Sequence, residues 1–206
     1  LIFCLFAEDV GIFPDGQFSR LLFTYAGNRG EEARKVIVAA FTAMPPYSHL
    51  VVHGDGPAYY DARDVPHGTV ARHVYRSGVT NGERELYVYT PPGYDRGKTY
   101  PVLYLVGGSG ELPHNWVYDG RVNFIMDNLL AEGKAVPMII AMPNNQVVHR
   151  NHPKHAELTF TTFEAELRKH VLPLVEREYG VRTDPRGRAL AGLSMGGRHT
   201  MFVGFK

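Results

Sequence analysis

Cysteine is almost missing from this sequence, with Cys4 standing alone. A single thiol excludes an intramolecular disulfide and a multi-cysteine zinc site. An excess of charge of either sign is missing as well, because the formal net charge is only +1. That balance gives no reason to expect nucleic acid or a charged membrane surface as partner. No apolar run reaches membrane-spanning length. Internal repeats and low-complexity tracts are absent too, so a stacked-repeat architecture is not expected. What the chain does have is aromatic side chains, 12 Tyr and 11 Phe. They fit a globular core, and some of them could line a site for a ring-shaped substrate.

A chain of 206 residues makes one domain, with room for a small appendage. The apolar start Leu1-Ile-Phe-Cys-Leu-Phe-Ala7 is followed by Glu8 and Asp9. It reads as the tail of a secretory signal, as a buried strand or as a ragged fragment end. A secreted or periplasmic place is the expectation, with the cytoplasm left open. Residues 17–25 and 35–42 suit strands or a short helix, and Gly27-Asn28-Arg29-Gly30 suits a turn between them. Residues 1–57 are expected to form a small N-terminal unit that ends in a linker near Gly54-Asp55-Gly56-Pro57.

From residue 58 the pattern sharpens. Thr69–Arg76 and Arg84–Thr90 alternate as strands, with Asn81-Gly82 as the hairpin turn. Pro101–Val106 and Pro137–Met142 are nearly continuous apolar runs, as expected of strands buried on both faces. Phe124–Leu130 has helical spacing and Gly133 stops it. Residues 160–179 form a helix that Pro173 should kink and Gly180 should end. Arg188–Leu193 is a further strand, and Gly196-Gly197 opens another helix. Strands alternating with helices argue for an α/β fold, a mostly parallel sheet with helices on both faces. Catalytic groups then collect at the C-terminal strand ends, here Gly107, Pro143 and Ser194.

Gly192-Leu193-Ser194-Met195-Gly196 is the pattern Gly-x-Ser-x-Gly, with a buried strand before it and a helix start after it. A Ser hydroxyl is a poor nucleophile until it is lifted out and deprotonated. A tight strand-to-helix turn lifts it, and the glycines let strand and helix approach. The same turn puts the Met195 N–H at a helix start, where it can stabilise an oxyanion. A second donor is expected from Gly107-Gly108-Ser109-Gly110. A phosphate cradle is the competing reading of that loop, but the Lys-Ser/Thr ending of a P-loop is absent.

These residues resemble the esterase-D-like enzymes of carbohydrate esterase family one, which include feruloyl, acetyl-xylan and enterochelin esterases. The resemblance rests on Tyr60–Gly68, Val88–Tyr94, Tyr100–Leu105, Asn123–Leu129, Met142–Asn144 and Ala191–Arg198. It implies that residues 58–206 are the N-terminal portion of an α/β-hydrolase domain. It also implies cofactor-free hydrolysis of a small-molecule or polysaccharide ester through an acyl-enzyme on Ser194. Feruloyl or acetyl esters of plant polysaccharide are the substrates it suggests. An N-terminal β-sandwich is frequent in the family, but residues 1–57 do not match one.

Two departures stand out. The family usually has His-Gly-Gly-Gly in the oxyanion loop, and Val106 stands in place of the His. The family's order is Ser, then Asp or Glu, then His, yet residues 195–206 hold no acid and only His199. The expectation is a chain truncated after the elbow, with acid and base beyond Lys206 and little activity by itself. His199 is a poor candidate for the base and suits a surface or packing role. A non-catalytic carbohydrate-binding relative and an acyltransferase remain as alternatives. His149, His152 and His155 could hold zinc, but Pro153 spoils their alignment and a polar loop is expected instead. His67 and Asp64 read as structural. Trp116, Asp119 and Arg121 could border an acyl pocket or simply start a helix.

Overall fold

The computed structural model describes residues 60–205. The expectations for Cys4, for residues 1–57 and for the linker lie outside them. A five-stranded sheet forms the centre, in the order β1-β2-β4-β3-β5. β1 (Thr69–Ser77) and β2 (Gly82–Thr90) make an antiparallel hairpin in continuous register from Thr69↔Thr90 to Ser77↔Gly82. The loop is therefore residues 78–81, not Asn81-Gly82 alone. Asn81 takes the left-handed position at φ 53°, and Gly82 already belongs to the strand. The Ser77 hydroxyl oxygen accepts the Val79 and Thr80 N–H groups, so the first half of the loop is closed by a side chain.

β3 (Val102–Val106) runs parallel to β4 (Ile139–Pro143) on one side and to β5 (Arg188–Gly192) on the other. β2 pairs with β4 antiparallel. The sheet is thus a parallel core of three strands extended by an antiparallel hairpin.

Period-two alternation sorts each apolar strand onto two faces. Leu103, Leu105, Ile140 and Met142 meet Trp116, Val122, Ile125 and Met126 on one side. These last come from α1 (Asn115–Tyr118) and α2 (Val122–Ala131). Val102, Tyr104, Val106, Ile139 and Ala141 meet Phe163, Leu167, Val171 and Val175 on the other. Both faces are covered, which explains why β3 and β4 read as unbroken apolar runs rather than alternating ones.

The helix on the second face starts at His155, five residues before the sequence expectation. α3 (His155–Glu166) passes into a π turn at Leu167–Val171 and then into α4 (Leu172–Glu178). Pro173 is responsible, since its ring would crowd the Lys169 carbonyl in a regular helix. The wider turn, with Leu172 N–H donating to Leu167 O, relieves that clash without a break. Gly180 follows the helix, but not as a left-handed cap. A Cβ there would lie 2.1 Å from the Lys98 carbonyl oxygen, so backbone packing demands the glycine. The last element is α5 (Met195–Gly204), directly after Ser194. Among the described residues no helix is long and apolar enough to cross a membrane.

Candidate active site

Ser194 stands at φ 49°, ψ −111°, between the end of β5 and the first turn of α5, and is exposed. A side-chain-bearing residue in that region is strained by about 1–3 kcal/mol and persists only when its surroundings hold it there. The surroundings are specific. Leu193 N–H donates to Val106 O at 3.0 Å, and Gly196 N–H donates back to Leu193 O at 2.7 Å. A Cβ on Gly192 would lie 2.3 Å from the Gly196 carbonyl carbon, and one on Gly196 would lie 2.2 Å from Val106 O. Both glycines are required because strand, helix and the loop after β3 meet backbone to backbone.

The loop after β3 faces this turn. A Cβ on Gly108 would lie 3.6 Å from the Ser194 Cβ. Gly107 and Gly108 are buried, Ser109 and Gly110 exposed. Of the four amides expected as oxyanion donors, that of Met195 opens α5, where a helix leaves N–H groups without intrahelical partners. The Gly108 N–H is already engaged, donating to the Glu111 carboxylate at 2.5 Å. The Ser109 N–H has no hydrogen bond among the described residues. Gly107 sits at the strand end with its carbonyl held by Asn145 Nδ2 at 2.6 Å.

Sequence reasoning missed the residues that hold this loop. Asn145, buried, and Gln146 follow β4 and reach across to it. Gln146 Nε2 donates to the carbonyls of Gly108 (3.0 Å) and Glu111 (3.3 Å) and to Asn145 Oδ1 (2.8 Å). Arg84 of β2 in turn donates to the carbonyls of Asn144 (2.6 Å) and Gln146 (2.8 Å). A signal existed, since polar residues directly after a buried parallel strand lie at the catalytic edge of such a sheet.

The other candidates take structural places. His199 is fully buried, its ring 4.8 Å from that of Phe160 and 4.5 Å from that of Phe163, and neither nitrogen has a hydrogen-bond partner among the described residues. It packs α5 on α3. Burial first, and then the Arg198 charge, lower its pKa to about 4, so it is neutral at pH 7. Among the described residues no hydrogen bond joins Ser194 Oγ to a His. His149 and His152 each use Nδ1 to accept a backbone N–H, from Asn151 and Lys154, within their own turns. Among the described residues no group of three His, Cys, Asp or Glu is arranged to hold a metal ion. His67 Nδ1 lies 2.9 Å from Asp127 Oδ2, and Asp127 Oδ1 accepts Gly68 N–H and Tyr89 OH. That buried carboxylate ties the segment before β1 to α2. Asp64 is exposed. Trp116 is core, Asp119 accepts Asn115 Nδ2, and Arg121 lies over the rings of Tyr60 and Phe124. Their contacts hold α1 and α2 in place.

Comparison with known proteins bears on this geometry. Residues 77–205 match the family model described as "Putative esterase". The chain belongs to this esterase family. A second family model, the helicase spacer domain of MmeI, matches residues 1–54, outside the described structure. This esterase chain is 34% identical over 154 residues to an endo-1,4-beta-xylanase/feruloyl esterase of Xylanibacter ruminicola, covering 72% of the chain and 21% of the relative. Among solved structures it resembles a CE1 ferulic acid esterase from Anaeromyces mucronatus, with TM-score 0.65 and 30% identity, over 75% of this chain and 60% of that one. The enterobactin esterase of Shigella flexneri, at TM-score 0.55 and 16% identity over 75% of this chain and 38% of that one, shares the fold alone. The esterase chain therefore spans about a fifth of that curated relative and about three fifths of the solved feruloyl esterase. The fold is that of the α/β-hydrolases.

Proposed function

We propose that Ser194 is the nucleophile of a carboxylic ester hydrolase acting on feruloyl or acetyl esters of plant polysaccharide. The observation that carries this reading is the strained Ser194 turn facing the Gly107–Ser109 loop. The names of its relatives support the feruloyl class, and acetyl esters rest on the family resemblance alone. Ser194 Oγ attacks the carbonyl carbon, and its proton passes to an imidazole base. Negative charge develops on the carbonyl oxygen, and the Met195 N–H with an amide of the Gly107–Ser109 loop receives it. The alcohol leaves with the proton, and water then releases the acid from the acyl-enzyme. The base and its partner acid come from segments other than the described residues. A place outside the cytoplasm, where plant polysaccharide is met, belongs to the same proposal.

The test is hydrolysis of feruloylated and acetylated xylan oligosaccharides by the native full-length protein and its Ser194→Ala variant. Release of free acid by the first and not by the second supports the proposal. Glycan binding without release would point to a non-catalytic carbohydrate-binding protein. Acyl transfer to an added sugar in preference to water would point to an acyltransferase.

A further inference from the structure

We infer that Asn145 and Gln146 are positioning residues, which fix the direction of the oxyanion-loop amides from the far side of their peptide planes. The inference rests on the esterase reading of Ser194 for its catalytic consequence, but its geometry stands without it. In a trans peptide the carbonyl and the following N–H point in opposite directions. Holding the Gly107 carbonyl therefore aims the Gly108 N–H, and holding the Gly108 carbonyl aims the Ser109 N–H. Asn145 Nδ2 takes the first carbonyl at 2.6 Å and Gln146 Nε2 the second at 3.0 Å. Both N–H groups are thereby turned away from β4. The Gly108 N–H already shows what it is turned toward, since it donates to a carboxylate oxygen of Glu111. An anion is thus held at one of the two aimed amides, and Gly108 lies against Ser194.

The clamp is itself supported. Gln146 Nε2 also donates to Asn145 Oδ1, which locks the orientation of the Asn145 amide. Arg84 holds the backbone of both ends of Asn144–Gln146. The glycines of the loop have no side chains with which to fix their own peptide planes. Glu111 restrains Gly108 from within the loop, and the strand end holds the Gly107 and Gly108 carbonyls from the other side.

The experiment compares the native full-length protein with its Asn145→Leu and Gln146→Met variants, which keep bulk and remove the donors. Two readouts are taken on each: ester turnover, and amide hydrogen exchange across residues 106–112. The expected result is a fall in kcat of about 10- to 100-fold with KM nearly unchanged, since an oxyanion contact matters in the transition state alone. Exchange over the loop is expected to quicken at least about tenfold while the β3 and β4 core stays protected. Wild-type loop protection in both variants would overturn the inference, and so would wild-type kcat in a folded variant with a loosened loop. If the wild-type protein lacks turnover, the esterase reading fails, and the exchange data still decide whether the clamp exists. Gln146 is part-buried, so its variant carries the test if Asn145→Leu does not fold.

Discussion

Ser194 holds a backbone angle that a serine avoids, and two glycines make that tolerable. Gly196 is the more exposed to test, because its Cβ would strike both the Val106 and Gly107 carbonyl oxygens, at 2.2 and 2.5 Å. Gly196→Ala is expected to shift the turn against the loop and cut the rate of active-site labelling at Ser194 by about 100-fold or more. Timed labelling of the variant checks this. His199 makes a second prediction at this scale. Its folded pKa, about 4, lies below the ordinary 6.5 because burial disfavours the charged ring. The unfolded chain therefore binds the proton more readily, and the stability this residue contributes is present above pH 6.5 and lost toward pH 4. The expected loss over that window is on the order of 3 kcal/mol. From denaturant midpoints, wild type should therefore lose about 3 kcal/mol more than His199→Phe between pH 7 and pH 4. At the residue scale, the strained turn at Ser194 was legible because Gly-x-Ser-x-Gly is local. Asn145 and Gln146 were not, because their partners lie 35–38 positions away and no spacing rule reports them.

The strands were read nearly as they stand, since each is a short apolar or alternating run bounded by turn residues. The departures came where one element answers to another. The loop of the hairpin is longer than Asn81-Gly82 because Ser77 closes it with its side chain. The long helix absorbs Pro173 in a π turn, which helical periodicity alone does not reveal. At the end of α3 Glu166 is fully buried and accepts Tyr75 OH and Ser77 OH, at 2.8 and 2.5 Å. It fastens the helix to the tip of the hairpin on β1. Glu166→Ala takes the acceptor from the Tyr75 and Ser77 hydroxyls, and a donor left without its partner costs about 1–3 kcal/mol when buried. The expected cost is about 3 kcal/mol of stability, read from chemical denaturation, with Ser194 labelling of the folded fraction unchanged.

At the scale of the molecule, the sheet puts the Ser194 turn and the glycine loop on neighbouring strands, β5 and β3, at their C-terminal ends. β5 pairs with β3 on one side, and no described strand lies on its other side. Unpaired strand edges template association. The purified 206-residue chain is therefore expected to self-associate as its concentration rises, which size-exclusion chromatography with light scattering would show. The fold class was legible from the alternation of elements, whereas the antiparallel pairing of β2 with β4 was not, because pairing partners are not encoded in any single strand. The most direct measurement is covalent labelling of the native full-length protein by a fluorophosphonate, with the modified residue located by mass spectrometry. Modification of Ser194, abolished by unfolding, is the expected result. Folded protein whose Ser194 stays unmodified under conditions that label other serine esterases would contradict the account.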